Sequence, residues 1–180
     1  MKILTLHVDY IKFRPIKKAL KDAGEVDKTQ KEVKDCLVVL TSVEKNDEAN
    51  KEAIVKRLIH EINDIASQIK TKSIVLYPYA HLSSNLASPK DAQEILDLAE
   101  KELKKDFSVT KAPFGWYKEF ELKAKGHPLA ELSREFVAEE IKEEKVSTAL
   151  KDEKKLRSHW HIITPDGKLH EYEEFDYFSH

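Results

Sequence analysis

The chain has 180 residues, of which 41% are apolar and 36% are charged, and its formal net charge at pH 7 is −2. This length supports one buried core with an appendage, and the composition is that of a soluble globular protein. The near-zero net charge argues against a protein that grips nucleic acid over its whole surface, although it allows a local basic patch. There is no signal peptide and no segment of membrane-spanning length, and the single cysteine, Cys36, excludes an intramolecular disulfide, so we expect a cytoplasmic protein.

Two runs of basic residues are candidates for such a patch. Each run taken alone is more typical of a solvated surface than of a nucleic-acid site. The first run contains Lys12, Arg14, Lys17, Lys18 and Lys21, and the second contains Lys101, Lys104, Lys105 and Lys111.

The first half of the chain predicts three strands and a helix. Residues 2–10 alternate as a strand does, and residues 35–44 form an apolar run with β-branched members, typical of a strand covered on both faces. Residues 13–34 are polar and rich in lysine, which predicts a loop or a short helix. Apolar residues at steps of three and four predict an amphipathic helix over 50–70, and residues 73–77 predict another buried strand.

The second half begins with a helix start. Ser88 is placed as an N-cap and Pro89 as the first helical residue. Residues 107–113 and 116–124 predict strands, and Pro128 predicts the start of a short helix. Together the elements predict an α/β (α+β) fold, a single compact domain of mixed sheet with two main helices.

The composition predicts three regions along the chain. Residues 1–137 carry the compact domain, and residues 138–157, dense in Glu and Lys, predict a charged helical linker. Residues 158–180 are too short for a domain, and Pro-Asp-Gly at 165–167 predicts the turn of a short β-hairpin.

Four polar groups from loops and element ends are candidates for a functional site. Lys118 shares one strand face with Trp116 and Phe120, so it is either an edge-strand lysine in water or a fixed positive charge facing negative charge that develops on a carbonyl oxygen. His81 follows a buried strand and is either structural or able to orient water or a hydroxyl. Tyr117 is either a site residue or a core residue whose hydroxyl group has a hydrogen-bond partner.

Glu131, the fourth candidate, falls in the first turns of the helix predicted at Pro128, where the helix dipole favours a carboxylate. A metal centre is not predicted, because His159 and His161 have no Cys or carboxylate that completes a ligand pattern.

Five segments resemble, in their residues and in their order along the chain, the N-terminal editing domain of archaeal threonyl-tRNA synthetases. The similarity covers about residues 1–137. They are residues 7–10, 42–45, 77–84, 111–118 and 125–134. The resemblance implies a fold similar to that of D-aminoacyl-tRNA deacylases and a homodimer. It also implies proofreading hydrolysis of mischarged Ser-tRNA(Thr), sparing Thr-tRNA(Thr), with a water and the tRNA 2′-hydroxyl taking part and no cofactor in this domain.

The resemblance also implies which residues act. Catalytic groups fall on Lys118, His81, Tyr117 and Glu131, and the substrate pocket is formed by Val43, Pro78, Ala80, Ala92 and Phe114. The implied partners are the 3′ end of tRNA(Thr) carrying serine and, in a longer chain, the catalytic and anticodon-binding domains of a synthetase, since residues 158–180 resemble the connection to a catalytic core. Two alternatives stay open: a stand-alone D-aminoacyl-tRNA deacylase and a non-catalytic tRNA-binding appendage.

Overall fold

The computed structural model describes residues 1–138 and 161–171, which belong to two separate compact units. Residues 1–138 form a six-stranded sheet and two helices. In chain order the elements are β1 (Lys2–Lys18), β2 (Lys31–Ser42), α1 (Lys51–Ile69), β3 (Ser73–Pro78), α2 (Pro89–Leu103), β4 (Ser108–Lys111), β5 (Trp116–Ala124) and β6 (Glu131–Glu135).

The sheet is mixed, with the strand order β4-β3-β2-β1-β5. β2, β3 and β4 are parallel, and β1 is antiparallel to β2, to β5 and to β6, which pairs with the first residues of β1. The crossovers between the parallel strands are the helices α1 and α2, as short parallel connections require. The predicted mixed α/β domain with two main helices is confirmed.

Both helices begin at side-chain caps and cover one face of the sheet. The side chain of Asn50 accepts from the N–H of Ala53 at the start of α1, and Ser88 accepts from the N–H of Asp91 at the start of α2, with Pro89 in the first turn as predicted. The apolar stripes of the helices pack against one face of the sheet and form the larger core. Its sheet residues include Ile3, Leu37, Val39, Ile74 and Leu76.

On its other face the sheet curls over itself. Leu4 pairs with Leu40, and Leu40 pairs with Tyr77, so in a flat sheet Phe13 would lie about 30 Å along β1 from the level of Tyr77. Instead the rings of Phe13 and Tyr77 are 5.9 Å apart. The far half of β1, together with β5, therefore folds back over β2 and β3 and encloses a second core.

This curl begins where β1 and β2 change the face that their side chains occupy. Leu6 and Val8 face the second core before Asp9, and Ile11 and Phe13 face it after Asp9. Asp9 has no partner on β5, which marks a bulge there. At the same level on β2, Asp35 has a positive φ of 46°.

Two of the segments singled out in the sequence are each other's partners at this bulge. His7 Nδ1 lies 2.8 Å from His127 Nε2, and Lys125 Nζ lies 2.9 Å from Asp9 Oδ1 and 3.0 Å from Asp35 Oδ1. Burial, followed by the positive charge of Lys125, lowers the pKa of His7. These contacts fix the turn that follows β5.

The helix predicted at Pro128 is wrong, because that turn leads into β6. β5 leaves β1 at Val8, so the edge of β1 over residues 2–6 is open, and residues 131–135 fill it as an antiparallel strand. Backbone pairing along this open edge overrides the helical spacing of the apolar residues.

The loop predicted over 13–34 is also partly wrong, since β1 runs to Lys18 and β2 starts at Lys31. The polar residues there are strand residues paired across β1 and β5, as with Arg14 and Glu119, whose charged groups are 2.7 Å apart.

The described part of the second unit is a hairpin of β7 (His161–Ile163) and β8 (Leu169–Glu171). Gly167 has a φ of 82° in its turn, so the predicted hairpin is confirmed. The predicted linker helix over 138–157 lies, beyond residue 138, outside the described residues. Among the described helices, none is long and apolar enough to cross a membrane.

Candidate functional site

A pocket of about 380 Å³ opens where β2 and β3 end and β5 begins. The carboxyl ends of neighbouring parallel strands form such a crevice in many α/β sheets, because the chain turns away from the sheet there. All but one of the residues that the sequence places at the site line this pocket. They are Val43, Pro78, Ala80, His81, Ala92, Phe114, Tyr117 and Lys118.

The end of β3 places His81. The N–H of Tyr79 donates to the carbonyl of Thr41 (2.8 Å), which ties the chain after β3 to the end of β2. A single 3-10 turn over Ala80–Leu82 follows, and the His81 side chain is exposed at the pocket with its ring 5.2 Å from that of Tyr79. The imidazole is therefore open to a ligand and to water.

A glycine turn places the residues of β5. Gly115 has a φ of 73°, and its carbonyl accepts from the N–H groups of Ala19 (2.8 Å) and Leu20 (3.1 Å). A Cβ at Gly115 would lie 3.0 Å from Cβ of Ala23, so the close approach also requires glycine. This contact holds the end of β1 against the start of β5 and closes one side of the pocket.

Lys118 points into the pocket from the concave face of β5, as its shared face with Trp116 predicted. Its Nζ donates to the carbonyls of Pro113 (3.0 Å) and Trp116 (2.9 Å) and lies 5.0 Å from the centre of the Tyr77 ring. No carboxylate in residues 1–138 or 161–171 forms an ion pair with it. Burial alone lowers the pKa of Lys118 to about 8.

The ammonium is thus held by dipoles and a ring face rather than by a counter-charge. An ammonium has three N–H donors, and two of the donors of Lys118 are used by the backbone of β5 and the turn before it. The third donor and the uncompensated positive charge are available to a ligand oxygen in the pocket. Of the two readings of Lys118 from the sequence, the solvent-directed edge lysine is wrong.

Tyr117 lines the pocket but lies at its mouth, with 55% of the residue exposed. The ammonium of Lys17, a residue of the neighbouring strand β1, lies over the Tyr117 ring at 5.3 Å from the ring centre. The core role considered for Tyr117 is therefore wrong.

Glu131 is the predicted site residue that the structure does not bring to the pocket. It is exposed at the start of β6, where it pairs with Leu6, and no helix dipole acts on it because no helix forms there. The sequence analysis also missed pocket residues. Tyr77 supplies the ring beneath Lys118, and Ser42 has a buried hydroxyl without a hydrogen-bond partner among the described residues. Both belong to apolar segments that the sequence predicts as buried strands, so nothing marked them as pocket residues.

Comparison with known proteins matches residues 1–136 to the Archaea-specific editing domain of threonyl-tRNA synthetase. The threonine–tRNA ligase of Thermococcus sibiricus is 50% identical over 181 residues, and that of Pyrococcus horikoshii is 47% identical over 181 residues; each match covers 98% of this chain and 29% of the relative. The ligase of Methanosarcina mazei is 46% identical over 189 residues, which cover 98% of this chain and 30% of that relative. The chain spans less than a third of the length of these curated relatives.

Among solved structures, the c-Myc DNA Unwinding Element Binding Protein superposes with a TM-score of 0.55 at 11% identity, covering 76% of this chain and 99% of that chain. At this identity the likeness concerns the fold alone, and it supports the predicted fold class, a compact domain of mixed sheet with two main helices. The family match covers the whole sheet, both helices and the pocket, so the chain belongs to the Archaea-specific editing-domain family of threonyl-tRNA synthetases.

Proposed function

We propose that this domain hydrolyses the ester bond of mischarged Ser-tRNA(Thr) and spares Thr-tRNA(Thr). The observation that carries the proposal is the ammonium of Lys118, which is half-buried in the pocket wall without a carboxylate partner in the described residues and with one N–H donor unused. A fixed positive charge of this kind stabilises the oxyanion that forms when water adds to an ester carbonyl.

The chemical step needs no protein nucleophile. Water adds to the ester carbonyl carbon, the bond from that carbon to the ribose 3′-oxygen breaks, and the proton passes by way of the terminal adenosine's 2′-hydroxyl to the departing oxygen. Lys118 faces the oxyanion, His81 orients the water, and Tyr117 contacts the substrate at the mouth of the pocket. The products are serine and a tRNA with a free 3′-hydroxyl, and no cofactor takes part.

The pocket walls supply the selection. Val43, Ala80, Ala92 and Phe114 present apolar surface to the amino acid, so the methyl group that distinguishes threonine from serine meets packed atoms. A single methyl group changes binding by only about 1–3 kcal/mol, which is why a second, hydrolytic selection is needed after a synthetic site that accepts both amino acids.

Paired deacylation assays of Ser-tRNA(Thr) and Thr-tRNA(Thr) test the proposal. We expect the chain to release serine and leave the threonyl ester intact. Lys118→Met, which keeps most of the length of the side chain and removes the charge, should lower the rate of serine release by at least about 100-fold. Lys123→Met on the exposed side of the same strand is the matched control and should leave the rate unchanged.

Each alternative function gives a different result. Equal turnover of the seryl and threonyl esters contradicts proofreading, and a preference for D-aminoacyl esters indicates a general D-aminoacyl-tRNA deacylase. Binding of tRNA without ester cleavage indicates a non-catalytic appendage. A terminal 2′-deoxyadenosine should abolish the reaction, and an unchanged rate would contradict the role of the 2′-hydroxyl.

The remaining roles are proposals that follow from the family. Tyr117 is proposed to act at the 3′ end of tRNA(Thr), with the synthetase's catalytic and anticodon-binding domains as partners in a longer chain. The homodimer and the catalytic role of Glu131 stay predictions, and Glu131 is not among the residues that line the pocket.

A further inference from the structure

Glu44, two residues after the end of β2, holds the loop between β3 and α2, which forms one wall of the pocket. Oε1 of Glu44 accepts a hydrogen bond of 2.5 Å from Oγ of Ser83, which lies two residues after His81. The N–H of Ser83 in turn donates to the carbonyl of Ala80 (3.3 Å) and closes the turn that carries the imidazole. A single hydrogen bond therefore links the Glu44 carboxylate to that turn.

The wall beyond the turn is tied to the same stretch of chain. The N–H of Ala87 donates to the carbonyl of Val43 (3.0 Å), and Glu44 forms a β-bridge with Leu86. Leu86 and Ala87 both line the pocket. The position of Glu44 therefore also determines where these two side chains stand.

The other oxygen of Glu44 is anchored in the core. Its Oε2 accepts from the Met1 ammonium at 3.1 Å, and that ammonium also bonds Asp47 Oδ1 (3.0 Å) and the carbonyl of Phe136 (2.8 Å). Burial opposes ionisation of Glu44, but the hydrogen bond from Ser83 and the Met1 ammonium hold its pKa below the ordinary value. The side chain is therefore a charged link between a buried cation and the edge of the pocket.

We propose that Glu44 is a positioning residue: through Ser83 it fixes the turn that carries His81. Because Ser83 Oγ also accepts from the N–H of Asn85 (3.1 Å), the same link holds the chain that leads to Leu86 and Ala87 in the pocket wall. Glu44 thereby sets the rate of hydrolysis and the discrimination between seryl and threonyl esters. This inference rests on the proposed function. Because a displacement of about 1 Å at a reacting group can cost about 100-fold in rate, one lost hydrogen bond at this place has a measurable effect.

The chain supplies both the test variants and a matched control. Ser83→Ala removes the link and leaves the core anchor intact. Glu44→Gln removes the negative charge and leaves one acceptor oxygen for the two partners. Ser83→Thr keeps the hydroxyl and is the conservative rescue. Asn50→Ala removes the hydrogen bond that caps α1, and Asn50 makes no hydrogen bond to Glu44, Ser83 or Met1 in the described residues, so it reports what destabilisation alone does.

The experiment measures kcat and KM for Ser-tRNA(Thr) and Thr-tRNA(Thr), together with Tm, on the whole chain. We expect Ser83→Ala and Glu44→Gln to lower kcat on the seryl ester by about 10- to 100-fold with little change in KM. Both variants should also lower the ratio of kcat/KM for the seryl ester to kcat/KM for the threonyl ester. Ser83→Thr should recover most of kcat. The double variant should be no worse than the worse single variant, because both act through one contact.

Asn50→Ala should lower Tm and keep the wild-type kcat and selectivity. The inference is overturned if folded Ser83→Ala retains the wild-type kcat and the wild-type ratio of kcat/KM for the seryl and threonyl esters, or if Asn50→Ala changes both as much as Ser83→Ala does. A wild-type chain that releases no serine overturns the proposed function itself, which is a separate outcome because it needs no variant.

Discussion

At the residue scale, the unusual feature of this domain is a lysine whose charge no carboxylate in the described residues balances. Desolvation lowers the pKa of Lys118 to about 8, so at neutral pH the ammonium form still predominates. A charge kept in this state raises the free energy of the folded protein and gives strong attraction to a negative charge that forms nearby. That combination is typical of a site that stabilises a transition state rather than of a structural ion pair.

The depressed pKa predicts a pH dependence whose sign is fixed. In the proposed mechanism the active form is the protonated amine, which is present below its pKa and lost as pH rises through about 8. The enzymatic part of kcat/KM for Ser-tRNA(Thr), corrected for spontaneous hydrolysis, should therefore fall above about pH 8. Lys118→Arg keeps its charge beyond about pH 12, so this variant, although slower, should lose the decline. The same decline in both proteins would assign it to another group.

Gly115 gives a second prediction at this scale. Alanine at a φ of 73° is strained, and its Cβ would press on Ala23 and Leu20, so we expect Gly115→Ala to lower the free energy of unfolding by about 1–2 kcal/mol and to reduce serine release. Gly126 has open space around it and no positive φ. Urea unfolding of Gly115→Ala and Gly126→Ala checks this, and equal stability of the two variants would contradict it.

Single residues were predictable where a motif names them and hidden where only packing reveals them. The sequence places Lys118 on the face of Trp116, and the structure agrees because alternation in a strand is a local property. It could not find Tyr77 beneath that ammonium, because the contact depends on the curl of β1 and β5 over β3. Such a contact joins residues far apart in the chain and leaves no periodic signal.

At the element scale, the curl depends on the level of β1 and β2 where both strands change face. Asp35 takes a left-handed φ of 46° there, a conformation that Asp tolerates better than most residues and that β-branched residues avoid. Without this change of face, Val33 and Cys36 could not both point into the second core, because they stand three residues apart on one strand.

We therefore expect substitutions at Asp35 to follow backbone preference rather than strand propensity. Asp35→Val should lower the free energy of unfolding by about 1–2 kcal/mol, while Asp35→Gly should be tolerated. Lys34→Val at the exposed neighbouring position, where φ is not positive, is the control and should be neutral or stabilising. Chemical denaturation compares them, and a stable Asp35→Val would show that the positive φ carries no strain.

Elements were predictable where their local signals and their tertiary partners agree. Both helices have caps and apolar stripes, and their positions follow from the sequence. β6 was not predictable, since its residues form a strand only because β5 leaves the edge of β1 open beside them. The same holds for the ends of β1 and β2, whose polar residues pair across the sheet.

At the scale of the whole molecule, ion pairs neutralise most residues of both basic runs that the sequence singled out. In the second run, Lys104 and Lys105 pair with carboxylates on α2 at 2.7 and 2.5 Å, and Lys111 pairs with Asp97 and Glu100 of the same helix. That run is largely neutralised. In the first run, Lys12 and Arg14 pair with glutamates of β5, and Lys18 pairs with Glu25 at 2.6 Å.

Two lysines near the pocket keep their charge free for a ligand. Nζ of Lys17 lies over the ring of Tyr117 and Nζ of Lys28 over that of Trp116, at 5.3 and 5.4 Å from the ring centres. No carboxylate in the described part of the chain forms an ion pair with either. Both rings belong to residues that line the pocket, so under the proposed function we expect these ammonium groups to attract the phosphates next to a bound terminal adenosine.

The positions of the unpaired lysines predict which of them bind the proposed tRNA substrate. Lys17→Ala combined with Lys28→Ala should lower kcat/KM for Ser-tRNA(Thr) by about tenfold and reduce the slope of log kcat/KM against log salt by about 1–2, because up to two phosphate contacts are lost. Cleavage of seryl-adenosine, which has no phosphate, should be unchanged, since the pocket itself is intact. Lys104→Ala combined with Lys105→Ala removes the same formal charge from the neutralised run and should leave both substrates unaffected. If the two double variants behave alike on Ser-tRNA(Thr), net charge rather than the placement of these lysines governs the encounter.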